Sequence, residues 1–139
     1  MIDINNSLGF ILYKTQGKLQ NAFHQLLKEY DITPEQWGLL RCLSENEGVA
    51  PTELAEIILK DKPNTTRIAN KLKKKGLVTY QDNLIDKRSY LIFITLKGTQ
   101  LLEKVLPIKM SLNNQAVKGI SEEKIEELKE LLNKIYHNF

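Results

Sequence analysis

Apolar side chains recur every three or four positions at Leu8, Ile11, Leu12, Leu19, Ala22, Phe23, Leu26, Leu27 and Tyr30. That spacing gathers them into one stripe along a helix of about six turns. A stripe so long exceeds what one small domain needs for its own core, so part of it is available to a partner chain. Thr33-Pro34-Glu35-Gln36 then predicts a second helix, with Thr33 as N-cap, Pro34 in the first helical position and Gln36 set for a capping box. Trp37, Leu40, Cys42 and Leu43 follow on it, and it should stop near Glu47-Gly48. A short third helix from about Pro51 to Ile58 points Leu54, Ala55 and Ile58 inward. A fourth runs from Asp61 to Lys75, with Ile68, Ala69 and Leu72 as its buried line and Gly76 as its C-cap.

The pattern then changes period. Leu77 to Gln81 and Tyr90 to Ile94 read as strands, the second rich in β-branched and aromatic residues. The polar loop Asp82 to Ser89 between them is too long for a tight turn. Thr95 caps a fifth helix carrying Leu101, Leu102, Val105 and Leu106, which Pro107 should kink or interrupt before it resumes through Leu112 to Val117. Ser121 with Glu122 and Glu123 opens a sixth helix, placing negative charge at its positive end. Its stripe is Ile125, Leu128, Leu131, Leu132, Ile135 and Phe139. The order predicts a mainly α protein with a small β-hairpin wing. A short helix, a basic helix and a hairpin in succession are the layout of a winged helix-turn-helix. Residues 33–97 form that lobe, and residues 1–32 and 98–139 are read as dimerisation helices, within one domain over residues 1–139.

Composition agrees with this layout. The 139 residues are 42% hydrophobic and 27% charged, enough for one core and without a disorder signature. The longest apolar runs are too short to span a bilayer, and the segment Met1 to Asn6 lacks the basic start and apolar stretch of a signal peptide. Cys42 stands alone, so no intrachain disulfide is expected and a reducing cytoplasm fits best. Net charge is only +3, but its distribution is uneven. Residues 60–97 hold ten basic and three acidic side chains, while residues 1–59 hold four basic and eight acidic ones. Positive charge concentrated in one quarter of the chain suits a polyanion contacted at one place; a solvated lysine-rich helix face is the plainer alternative.

The fourth helix carries donor-rich polar residues near its start. Asn64, Thr65, Arg67, Asn70 and Lys71 fall largely away from the Ile68–Leu72 line. Arg67 has the fork that suits a guanine, and Asn64 or Asn70 the amide that suits an adenine. Thr65 and Thr66 suit a phosphate or thymine methyl, or one of them serves the helix start. Lys73, Lys74 and Lys75 suit phosphates, because a flexible point charge reads no sequence. In the loop, Arg88 suits a narrow, electronegative minor groove. Asp86 would repel phosphate, so its role is to hold Arg88 or another cation; Lys87 lies between them. The alternative for this loop is a charged hairpin with no partner.

With these segments in order, the sequence resembles the MarR-type regulators over nearly its whole length. Thr33-Pro-Glu-Gln-Trp37, Thr66-Arg67, Lys75-Gly-Leu-Val78, Asp86-Lys-Arg-Ser89 and Ile94-Thr-Leu-Lys-Gly98 carry the resemblance, through their order and separations rather than any single piece. It implies a triangular homodimer joined by N- and C-terminal helices, bound to a pseudo-palindromic operator in double-stranded DNA. It also implies transcriptional regulation, usually repression, often released by a small hydrophobic or phenolic effector. The wing-signature match implies that Arg88 is the minor-groove residue, supported by Asp86. Tyr90-Leu91 at the second strand and Pro63 near the start of the fourth helix depart from the pattern and blur the individual base contacts.

Other chemistry is thin. Related sensors of peroxide carry their thiol on the first helix, where this chain has none, so Cys42 reads as a buried core thiol. His24 and His137 lack partners at ligand spacing, and no metal or cofactor is expected. Trp37 and Tyr13 either line an effector pocket or belong to the core. No phosphate-cradling loop, nucleophile elbow or paired His and Cys points to an enzyme. A winged-helix protein-interaction module is the main alternative. A membrane-surface anchor is disfavoured because the Lys71–Lys75 helix lacks a bulky aromatic face.

Overall fold

The computed structural model describes residues 3–139. Six helices and one hairpin follow in order: α1 (Leu8–Leu27), α2 (Pro34–Glu45), α3 (Pro51–Ile58), α4 (Lys62–Lys74), β1 (Val78–Asp82), β2 (Tyr90–Ile94), α5 (Leu96–Ala116) and α6 (Glu122–His137). The start signals read from the sequence operate as expected. Thr33 accepts from the Gln36 amide while the Gln36 side chain accepts from the Thr33 amide, a complete capping box. Thr95 caps α5 and Ser121 caps α6 with the single bond, each side-chain oxygen accepting from the amide three residues on. Gly76 follows α4 with φ of +76°, the left-handed conformation that closes a helix end. The last turn of the first predicted helix tightens into a 3-10 segment at Lys28–Tyr30.

α2 is the hub. It packs on α1, α3, α4, α5 and β2, and Trp37, Leu39, Leu40, Cys42 and Leu43 on it are buried. The same core takes Phe23 and Leu27 from α1, Leu54 from α3, Ile68, Ala69 and Leu72 from α4, Ile92 from β2 and Val105 and Leu112 from α5. The hairpin is antiparallel, pairing Val78 with Ile94 and Asp82 with Tyr90. A third stretch of backbone joins it: Val49 exchanges both hydrogen bonds with Ile92, at 3.0 and 2.9 Å. This fastens the wing to the loop before α3.

One feature departs from the sequence reading. α5 runs through Pro107 as one helix of 21 residues, without the interruption expected there. A proline removes one backbone donor, and Val105 and Leu112, buried on either side of it, give the helix packing on both sides of the missing bond. Gly98, at the start of α5, is buried against β1: a Cβ there would run into the Leu77 carbonyl oxygen and Ile94. The close approach of helix and hairpin therefore needs glycine.

Candidate nucleic-acid interface

α4 is built to present one side. Asp61 caps it, its carboxylate accepting from the Asn64 amide at 2.7 Å, and Pro63 sits in the first turn where its missing N–H costs no bond. Ile68, Ala69 and Leu72 fix the buried face. Opposite them, Arg67, Asn70, Lys71 and Lys74 are exposed, and Asn64 and Thr66 are half-buried. Arg67 donates through Nη2 to Asn64 Oδ1, so the two side chains are held as a unit.

Thr65, expected among the contacts, stands elsewhere. It is fully buried, and its hydroxyl donates to the Asp61 carbonyl at 2.8 Å. It closes the first helical turn from the core side, the helix-start role that the sequence left open for one of the two threonines. The lysine run also divides. Lys75 turns to the other side, donating to the Asp31 carbonyl and to Gln36 Oε1 at 3.3 Å. Lys97 donates to the Lys75 carbonyl at 2.8 Å, tying α5 to the same joint. Lys73 lies 4.4 Å from the centre of the Tyr80 ring. Lys71 and Lys74 have no side-chain partner among the described residues and remain available to phosphate.

Tyr80 is the residue that sequence reasoning missed. From β1 its hydroxyl donates to Asn70 Oδ1 at 2.6 Å, and its ring stacks on Tyr90 with centroids 4.7 Å apart. Burial, with Tyr90 adding, pushes the phenol up to about 12, so it remains a protonated donor at neutral pH. Tyr80 thus fixes the amide orientation of Asn70 and couples the helix to the wing. Two tyrosines ten apart on opposite strands were a visible signal, but their register was not.

The wing loop is braced. Asp86 Oδ1 accepts from the Arg88 amide at 3.1 Å and from Arg88 Nε at 3.4 Å, the support the sequence assigned to it. The Arg88 side chain nevertheless stays 92% exposed, and Lys87 beside it is exposed too. The exposed side of α4 and the wing tip are therefore two cationic, donor-rich segments, and the Tyr80–Asn70 bond ties α4 to the hairpin that carries the tip. Their Arg and Asn side chains match base edges, and their lysines match backbone phosphates.

The remaining candidates resolve into core and surface. Cys42 is buried, and burial, reinforced by Glu45 and Glu53, raises its thiol above the usual range, so thiolate is scarce. Trp37 is buried edge-on to Phe23 with centroids 5.2 Å apart, whereas Tyr13 stands 77% exposed on α1. Lys109 lies 4.3 Å over the Phe23 ring, and burial, with Arg41 adding, lowers its pKa. A groove of about 390 Å³ opens at the joint of the α1 end, α4, β1 and α5, lined among others by Tyr30, Lys75, Leu77, Lys97, Leu101 and Lys104. No described helix is long and apolar enough to cross a membrane.

Comparison with known proteins agrees with this geometry. A family model described as MarR family matches residues 30–89, from the end of α1 to the wing. The organic hydroperoxide resistance transcriptional regulator of Bacillus subtilis (strain 168) is 29% identical over 133 residues, covering 96% of this chain and 87% of that protein. The HTH-type transcriptional repressor IacR of Pseudomonas putida is 26% identical, covering 91% and 76% respectively. The structure of a mutant MarR from E. coli complexed with operator DNA superposes with a TM-score of 0.89 at 25% identity, over 96% of this chain and 99% of that one.

Proposed function

We propose that the chain is a MarR-type winged helix-turn-helix regulator, as its similarity to that family supports, and that it represses transcription in the cytoplasm as a homodimer seated on a pseudo-palindromic operator. The observation that carries this is the bond from the Tyr80 hydroxyl to Asn70 Oδ1, which couples α4, with its exposed Arg67 and Asn70, to the hairpin that bears the exposed Arg88. α4 enters the major groove, where Asn64, Arg67 and Asn70 meet base edges. Lys71, Lys74 and Thr66 meet the backbone, and Arg88, backed by Asp86, enters the flanking minor groove with Lys87 on its phosphates. Residues 33–97 are the DNA-binding lobe; residues 1–32 and 98–139 build the dimer.

The dimer follows from what one chain leaves uncovered. α6 has no buried residue in its 16, while Leu128, Leu131 and Leu132 are 48%, 52% and 36% exposed. Helices owe most of their stability to a packed apolar face, and a second copy supplies one. A dimer on a promoter represses by occupying the polymerase's site. A small hydrophobic or phenolic effector would fit the groove at the α4–α5 joint in size; there it would meet Lys75 and Lys97, which tie the end of α4 to Asp31 and to α5.

Fluorescence anisotropy on a selected duplex across a salt series tests the assignment. Arg88→Ala should weaken binding with the dimer intact. Lys74→Ala should weaken all sequences alike and lower the salt slope by about one. Unchanged affinity in Arg88→Ala removes the wing from the interface, and a sequence-dependent loss in Lys74→Ala removes the phosphate role.

A further inference from the structure

Most exposed large apolar side chains lie on α1, α5 and α6, the faces assigned to the partner copy. Beyond them one pair stands out. Leu84 and Ile85, consecutive in the wing loop, are 89% and 98% exposed. They sit at the end of the hairpin away from α4 and α5, in the segment that carries Lys87 and Arg88.

The tip that bears them is built rather than loose. Asn83 Oδ1 accepts from the Ile85 amide at 3.1 Å and the Asp86 amide at 3.2 Å. The Ser89 amide donates to the Asp86 carbonyl at 3.1 Å, and Asp86 in turn holds Arg88. These bonds hold the loop backbone in a set shape, so the two aliphatic side chains are presented without an ordering step at binding. Two adjacent branched aliphatics in water gain only when something covers them.

We propose that Leu84 and Ile85 form an apolar wedge that enters the operator's minor groove beside Arg88. The minor groove offers what this tip matches: walls of deoxyribose C–H edges, and over A·T pairs a narrow electronegative floor that draws guanidinium groups. Asp86 is paired with Arg88, so the tip's net contribution is cationic as well as aliphatic. Aliphatic side chains entering the groove favour steps that unstack readily, so the wedge adds a preference for A·T-rich or pyrimidine–purine steps under the wing. It reads shape at positions α4 never reaches. The inference rests on the DNA-binding reading above, and its test separates the two.

The probes are duplexes enriched from a random pool by the wild-type protein, and the readout is anisotropy over a salt series. Leu84→Ser/Ile85→Ser should bind about tenfold more weakly and lose the flank preference. Its salt slope should match wild type, because no cation has left the interface, whereas Arg88→Ala should lower the slope by about one. Wild-type affinity and flank preference in the double variant overturn the wedge and leave the regulator reading standing. A wild-type protein that enriches no duplex overturns both. Unchanged DNA binding with altered sedimentation of the free double variant also overturns it, and makes the tip a contact between copies.

Discussion

Asn70 looks, in the sequence, like one more polar position on a basic helix, yet its carbonyl oxygen is held by Tyr80. With one lone pair of that oxygen engaged, the Asn70 side-chain nitrogen is left as a donor, which suits the acceptor atoms of a base edge. The raised phenol makes this contact pH-sensitive in a definite direction. The unfolded phenol ionises near 10 and the folded one at about 12, so the folded state keeps a proton that the unfolded state loses. Tyr80's contribution is whole below pH 10 and declines as pH rises toward 12. Ultraviolet titration should show one phenol ionising about two units late, a component absent from Tyr80→Phe; that variant should also lose about 1 kcal/mol of stability. An ordinary phenol titration would mean that Tyr80 is not buried against Tyr90, and an unchanged stability in Tyr80→Phe would refute the coupling to Asn70. Thr65 and Lys75 teach the converse lesson. Both carry the right chemistry for DNA, but helical phase buries one and a tertiary bond diverts the other, and neither is visible in residue type.

At the scale of elements, the caps made the chain readable. Thr33, Thr95 and Ser121 each begin a helix where the sequence placed it, because a side-chain acceptor before an apolar period is a local signal. What was not legible is tertiary: the Val49–Ile92 bridge, and the continuity of α5 through Pro107, which packing decides. The turn between α3 and α4 carries an avoidable cost. Leu59 caps α3 with φ of +58° while 74% exposed, so it takes a left-handed backbone and recovers little burial. Leu59→Gly should therefore stabilise the protein by about 0.5–1 kcal/mol in denaturant unfolding, the relief of left-handed strain outweighing the added freedom of the unfolded chain. A lower midpoint would mean that Leu59 is covered in the dimer.

For the whole molecule, the uneven charge and the uncovered stripes support the proposed division of labour, in which basic residues 60–97 face DNA and α1 with α6 face the partner. The sequence suggests that division because surplus apolar period and clustered charge are both properties of the string. It could not yield the pairing geometry, which depends on how two copies meet. Leu128→Asp with Leu131→Asp should convert the dimer to a monomer by sedimentation while helical content largely persists. Because each half-site then binds alone, operator affinity should fall by at least a hundredfold. Full dimerisation of that variant would move the interface elsewhere. The central claim is sequence-selective binding by a twofold dimer, and enrichment of random duplexes by the wild-type protein, followed by sequencing, tests it most directly. The account predicts an inverted repeat whose half-sites lie about 10 base pairs apart, centre to centre. A pool that stays random through successive rounds, with binding that depends only on salt, would contradict it.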